Sequence, residues 1–162
     1  MTNIRFHTGL LALAPAVACM ATPGRPRRKF GRTHTTPAVT CKAGALYIAT
    51  AAYTEALTTT NPAATLDNIA DALPSVMPQV FDTLGTTPEL AAVLLPEIRL
   101  LVWAFNAIEY ARAEAASHGC GYLFDYLAER LKQGADPHSI RKDALAAPAR
   151  LRELAEQAGD DQ

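Results

Sequence analysis

The stretch TPELAAVLLPEIRLLVWAFNAIEY, residues 87–110, decides the fold class of this chain. Apolar side chains recur in it every three or four residues, which places them on one face of an α-helix. That face holds Leu94, Ile98, Leu101, Phe105 and Ile108. Other apolar residues make the segment apolar nearly all round, as expected of a helix that others surround. We predict a long central helix from Pro88 to about Ser117, with a kink or a break at Pro96.

The same helical spacing recurs on both sides of this segment, and no stretch alternates for long in the manner of a strand. Proline, glycine and capping residues divide the rest of the body into further predicted helices. These cover approximately residues 42–58, 61–73, 75–84, 120–133 and a last pair, interrupted at Pro148, that ends near 158. We therefore predict an all-α protein. It has one helical-bundle domain of six or seven helices, residues 40–159, behind a basic, largely disordered N-terminal arm, residues 1–39.

No membrane span is expected in the central segment. Glu97, Arg99 and Asn106 interrupt its apolar run, whereas helices that cross a bilayer carry few or no charged residues. The overall composition, 49% hydrophobic and 19% charged, is that of a folded globular chain. The length suits a single hydrophobic core.

Charge is strongly segregated along the chain. Seven of the 15 Lys and Arg lie in residues 1–42, where no Asp or Glu occurs, so the remainder holds eight basic residues against all 16 acidic ones. The formal charge is therefore +7 for the first region and -8 for the body, although the whole chain has a net charge of only -1. Charge separated by region is typical of an interaction tail.

The basic stretch PGRPRRK, residues 23–29, resembles the AT-hook, a short motif whose Gly-Arg-Pro core lies in the minor groove of A·T-rich DNA. The resemblance covers seven of the 162 residues, and Pro23 stands where the motif usually has a further arginine. Arginine side chains favour the negative potential of a narrow minor groove. The predicted nucleic-acid-binding residues are Arg25, Arg27, Arg28, Lys29 and Arg32. A solubilising tail, or one that docks on the acidic body, is the alternative.

Residues 1–18 are open to two interpretations besides that of a tail. They have the form of a secretory leader, with Arg5, a short apolar run and Ala-Val-Ala before Cys19, whose thiol could then carry a lipid. Pro15 breaks the apolar run, however, and the basic residues that follow oppose export. The stretch can also be an over-called extension before a true start at Met20. Because three scattered cysteines do not form a disulfide framework, we expect a cytoplasmic protein, with an exported protein or lipoprotein as the alternative.

The densest group of reactive side chains is Glu114, His118 and Cys120. Glu114 and His118 are four residues apart and face the same side of a helix, and Cys120 begins the next one, where thiols can be activated. A small thiol- or metal-dependent enzyme around His118 and Cys120 is therefore one alternative. Metal sites need three or four ligands, however, and the sequence supplies no second spaced pair. We favour a helix-end histidine that pairs with Glu114, and we predict no catalytic residue, metal or cofactor.

These observations favour a non-enzymatic helical binding protein. Its basic arm is expected to contact an anionic partner, for which nucleic acid is the favoured candidate, and its helical body is expected to contact a protein partner or a second copy of the chain. Trp103 is expected in the core, and Asn106 is expected to be a hydrogen-bonded polar residue.

Overall fold

The computed structural model of the protein describes residues 37–116 and 120–160. Within these ranges the chain is all-α, as predicted, with five helices and no strand. The helices are α1 (Pro37–Ala56), α2 (Pro62–Thr83), α3 (Pro88–Glu114), α4 (Gly121–Lys132) and α5 (Pro137–Asp160). The predicted arm lies outside the described residues as far as residue 36.

Two of the predicted helix breaks are wrong. Helix α2 continues through Pro74 and Pro78, and α5 continues through Pro148, so the described residues form five helices where six or seven were predicted. Pro74 and Pro78 lie on the exposed side of α2, so their rings do not occupy space in the core. Buried residues occur before and after Pro74 and Pro78, and Pro148 lies between the buried Ala147 and the partly buried Leu151, so packing of the whole helix outweighs the local cost of the ring.

Helix α3 likewise runs through Pro96 without a break, which leaves one long central helix as the sequence suggested. Pro96 is exposed. The predicted first helix is also longer than expected, since α1 begins at Pro37 and ends at Ala56.

The predicted helix ends elsewhere are confirmed by their capping interactions. The side chains of Asn61 and Thr87 each accept a hydrogen bond from the backbone amide three residues later, at 3.1 and 3.3 Å. Gly85 and Gly134 end the preceding helices with positive φ angles of 64° and 89°, a conformation that residues with a Cβ rarely adopt. These two positions reverse the chain direction between α2 and α3 and between α4 and α5.

Helix α3 is the centre of the bundle and packs against each of the other four helices. Short turns join α1 to α2 and α2 to α3, so α1 and α3 run in parallel. Phe105 of α3 stacks on the ring of Tyr53, which lies near the end of α1. Helices α2 and α4 return in the opposite direction. Since a short turn joins α4 to α5, α5 runs in parallel with α3.

The core is formed mainly by the apolar faces of α1, α2 and α3, with α4 and α5 contributing fewer residues. Its largest fully buried side chains are Phe105, Phe124, Ile48, Leu66, Leu73, Met77, Ile98, Ile108, Leu131, Ile140 and Val102. The apolar positions predicted to share the core face of the central helix are all buried, namely Leu94, Ile98, Leu101, Phe105 and Ile108.

By length and composition, α3 is apolar enough to cross a membrane, and half of its most apolar window is buried within the bundle. A core helix satisfies the same criteria, so this is only weak evidence for a membrane span.

Candidate functional site

The residues that the sequence assigns to nucleic-acid binding are Arg25, Arg27, Arg28, Lys29 and Arg32, and all five lie outside the described residues. His118 lies outside them too, so its pairing with Glu114 stays a prediction. In the described part of the chain, Glu114 contacts Arg152 of α5 at 3.3 Å. Cys120 is the N-cap residue of α4 and is partly exposed. No group of three or more His, Cys, Asp or Glu side chains suited to a metal ion occurs among the described residues.

A polar network that extends from the core to the surface joins three helices at the α4 side of the bundle. Its centre is Glu109 on α3, which is only 5% exposed. The hydroxyl of Tyr53, on α1, donates a hydrogen bond of 2.8 Å to Glu109 Oε1. Arg112 Nε donates to the same oxygen at 3.2 Å, and Arg112 Nη1 contacts Asp125 of α4 at 2.8 Å. We call Tyr53, Glu109, Arg112 and Asp125 the polar network.

The ionisation of the network residues follows from burial and from their neighbours. Burial raises the pKa of Tyr53, and the hydrogen bond with the Glu109 carboxylate raises it further, because a phenolate there would face a negative charge. For Arg112, burial lowers the pKa, but its hydrogen bond to Asp125 and the charges of Glu109 and Asp125 outweigh this and raise it. The network therefore has a neutral phenol and a permanently charged guanidinium.

The raised pKa of Tyr53 predicts a loss of stability in alkali. A group whose pKa is higher in the folded state contributes its full stabilisation below the unfolded value, which is about 10 for tyrosine, and loses it as the pH rises further. We expect the free energy of unfolding in urea to be unaffected by Tyr53 below about pH 10 and to fall progressively as the pH rises above it. Tyr53→Phe should flatten this decline, whereas the same substitution at the exposed Tyr122 should not. An unchanged decline in Tyr53→Phe would contradict the prediction.

A second set of polar and aromatic side chains lies on the opposite side of α3, between α2 and α5. Tyr110 donates a hydrogen bond of 2.7 Å to Asp67 of α2, and Glu114 binds Arg152 of α5. Trp103, which is 38% exposed, lies on the same face, with the Arg99 guanidinium carbon 4.6 Å from its ring centroid. We call Arg99, Trp103, Tyr110 and Glu114 the α3 strip.

The structure corrects one residue prediction in this region and confirms another. Trp103 is not a core residue, because its part of α3 is left uncovered between α2 and α5. Asn106 is buried and donates a hydrogen bond of 2.8 Å to the carbonyl of Ala63, so it is the satisfied polar residue that was predicted. Sequence reasoning missed the polar network, since Tyr53 and Glu109 are 56 residues apart. The only local signal was a carboxylate at a position where the helix is otherwise apolar.

No protein-family model, curated protein or solved structure matches this chain.

Proposed function

We propose that the chain is a non-enzymatic helical binding protein whose basic N-terminal arm contacts nucleic acid. The observation that carries the proposal is the segregation of charge, with seven basic and no acidic residues in the first 42 positions. A polyanion attracts such a segment because each phosphate contact releases condensed counterions. Residues 24–26 have the sequence Gly-Arg-Pro, and an arginine in this setting is suited to insertion into the minor groove.

The described body supports a binding role more readily than a catalytic one. Its most buried polar group, Glu109, already accepts hydrogen bonds from Tyr53 and Arg112, so this network is satisfied within the protein. Such a network stabilises the packing of the helices. The arm is then attached to a stable folded domain. The body also has its own charge division: residues 43–98 contain six acidic and no basic residues, whereas the remainder contains all eight basic residues of the body and ten acidic ones. A polyanion held by the arm is therefore expected to approach the second half of the body, where repulsion is weaker.

The proposal is tested by binding of fluorescent DNA and RNA to the full chain across a range of salt concentrations. Replacing Arg25, Arg27, Arg28, Lys29 and Arg32 together with glutamine should weaken binding strongly at low salt. On duplex DNA, each lost phosphate contact is expected to reduce the slope of log affinity against log salt by about 0.9. Five contacts would then account for a change of about 4.5.

The matched control replaces two basic residues of the body, Arg130 and Arg150, with glutamine. Both are exposed. This variant should retain most of the affinity and of the salt dependence. Absence of binding by the unaltered chain at low salt, or an affinity that salt and the arm substitutions leave unchanged, would refute the proposal.

A further inference from the structure

We propose that the α3 strip is a stacking site for single-stranded nucleic acid, with Trp103 as the base platform and Arg99 and Arg141 as its cationic neighbours. The inference rests on the proposed function and adds a contact surface on the folded body to the arm. It is carried by three observations: an exposed tryptophan on an uncovered helix face, an arginine stacked on it, and the charge of the neighbouring helix.

The helix face that holds Trp103 has no covering element among the described residues. Tyr110 and Glu114 follow Trp103 at spacings of seven and eleven residues, which places all three on one side of α3. Tyr110 reaches α2 and Glu114 reaches α5, so these two helices flank the face and leave it open between them. Trp103 is the only tryptophan in the chain and is 38% exposed. Large aromatic side chains left on an open face are typical of binding surfaces.

Arg99 makes this tryptophan suited to an anionic aromatic ligand. Its guanidinium carbon lies 4.6 Å from the centroid of the Trp103 ring, within the range of a cation–π contact. The Nε atom of Arg99 is buried and has no hydrogen-bond partner in the described part of the chain. Arg99 therefore stacks on Trp103, and its guanidinium forms no ion pair with a carboxylate among residues 37–116 and 120–160. An arginine beside an aromatic ring is the combination that binds a base and its phosphate together.

Helix α5 supplies further positive charge next to the strip. Residues 137–152 contain one acidic residue, Asp143, and four exposed basic residues, Arg141, Lys142, Arg150 and Arg152. Of these, Arg141 and Arg152 share one side of the helix because they are 11 residues apart, whereas Lys142 and Arg150 lie on other sides. Arg152 lies beside Glu114. Since α3 and α5 run in parallel and 11 residues separate both Arg141 from Arg152 and Trp103 from Glu114, Arg141 comes to about the level of Trp103.

The α2 side of the strip is less favourable to a polyanion than the α5 side. This restricts where a nucleic-acid strand can lie. Asp67 on α2 carries a negative charge, although its carboxylate accepts the Tyr110 hydroxyl. The neighbouring part of α2 has no Lys or Arg to compensate it. The phosphates are therefore expected on the α5 side of Trp103 and the bases against its ring. This arrangement requires unpaired bases, because a base inside a duplex cannot expose its face to a side chain.

The experiment uses the full chain and an oligothymidylate of about 20 nucleotides, which exceeds the ~4–16 nucleotides that such sites usually cover. The emission of Trp103, the sole tryptophan, is recorded during the titration while the anisotropy of labelled oligonucleotide reports total binding. We expect Trp103 fluorescence to be quenched in step with binding. A duplex of the same length should bind through the arm without this quenching.

Substitutions distinguish the contribution of base stacking to the affinity from that of electrostatic contacts. Trp103→Ala should weaken oligothymidylate binding about 5- to 100-fold, and Trp103→Phe should restore most of the loss, because either ring can stack on a base. Arg141→Gln should lower the magnitude of the single-strand salt slope by about 0.7. The matched control is Tyr126→Ala on α4, where an exposed aromatic residue also lies beside an arginine, Arg130, at 5.8 Å. Tyr126→Ala should bind as the unaltered chain does, and thermal unfolding verifies that each variant is folded.

Three results would overturn the inference. One is arm-dependent binding that leaves Trp103 emission unchanged at saturation, which would contradict the stacking site but not the proposed function. Another is equal weakening by Trp103→Ala and Tyr126→Ala. The third is a change in Trp103 emission with protein concentration alone, which would assign the strip to contact between copies of the chain. Loss of all binding at low salt would instead contradict the proposed function itself.

Discussion

Phe105→Ala is expected to lower the free energy of unfolding by about 3–5 kcal/mol, the range for truncating a buried phenylalanine. Phe105 is fully buried on α3 and stacks on the ring of Tyr53, with ring centroids 4.3 Å apart. Its removal leaves a cavity at the contact between α1 and α3 and removes an aromatic pair. Because domains of this size are stable by only about 5–15 kcal/mol, the loss is a large share of the total.

Equilibrium unfolding in urea, followed by circular dichroism, measures this effect. The control is Val93→Ala on the same helix, where the side chain is 58% exposed and the change should stay within about 0.5 kcal/mol. A loss below about 1 kcal/mol for Phe105→Ala would show that this ring does not lie in the close-packed core.

Glu109→Ala is the second substitution expected to have a large effect, at about 2–4 kcal/mol of lost stability. The carboxylate accepts hydrogen bonds from both Tyr53 and Arg112, and it is buried. Without it the Tyr53 hydroxyl has no acceptor in the network, which leaves a buried donor unsatisfied. Arg112 is 29% exposed and retains Asp125, so water and that partner reduce its share of the loss.

A double-mutant cycle with Tyr53→Phe isolates the interaction between the two side chains. We expect a coupling free energy of about 0.5–3 kcal/mol between Tyr53 and Glu109. Glu114→Ala is the control on the same helix, because its ion pair with Arg152 is exposed and should contribute at most about 1 kcal/mol. Equal losses for Glu109→Ala and Glu114→Ala would contradict a structural role for the network.

Phe105→Ala and Glu109→Ala both alter the packing of α3 against α1 and α4. Neither changes a residue of the arm or of the α3 strip. A destabilised variant that still binds nucleic acid with the same salt dependence would separate the stability of the body from the proposed binding activity. The two properties are expected to separate, because the polar network and the α3 strip lie on opposite sides of α3.

The sequence by itself determined the all-α class, the central position of the segment around Phe105, and the helix ends at Asn61, Thr87, Gly85 and Gly134. These features depend on residues within one or two turns of each other: the spacing of apolar side chains, a capping oxygen, or a glycine able to adopt positive φ. The charge division between the arm and the body is also a property of the sequence alone. The arm residues on which the proposed function depends were identified in the same way.

Only the tertiary structure decided which helices continue through their prolines, which faces are covered, and which polar groups meet. Pro74 and Pro148 remain inside helices because packing on both sides outweighs a local loss of hydrogen bonding. Trp103 is exposed because α2 and α5 flank its face without covering it. Tyr53 and Glu109 meet because α1 and α3 are parallel. The physical reason is the same in each case, since helical periodicity tells which residues share a face but not which neighbour that face will meet.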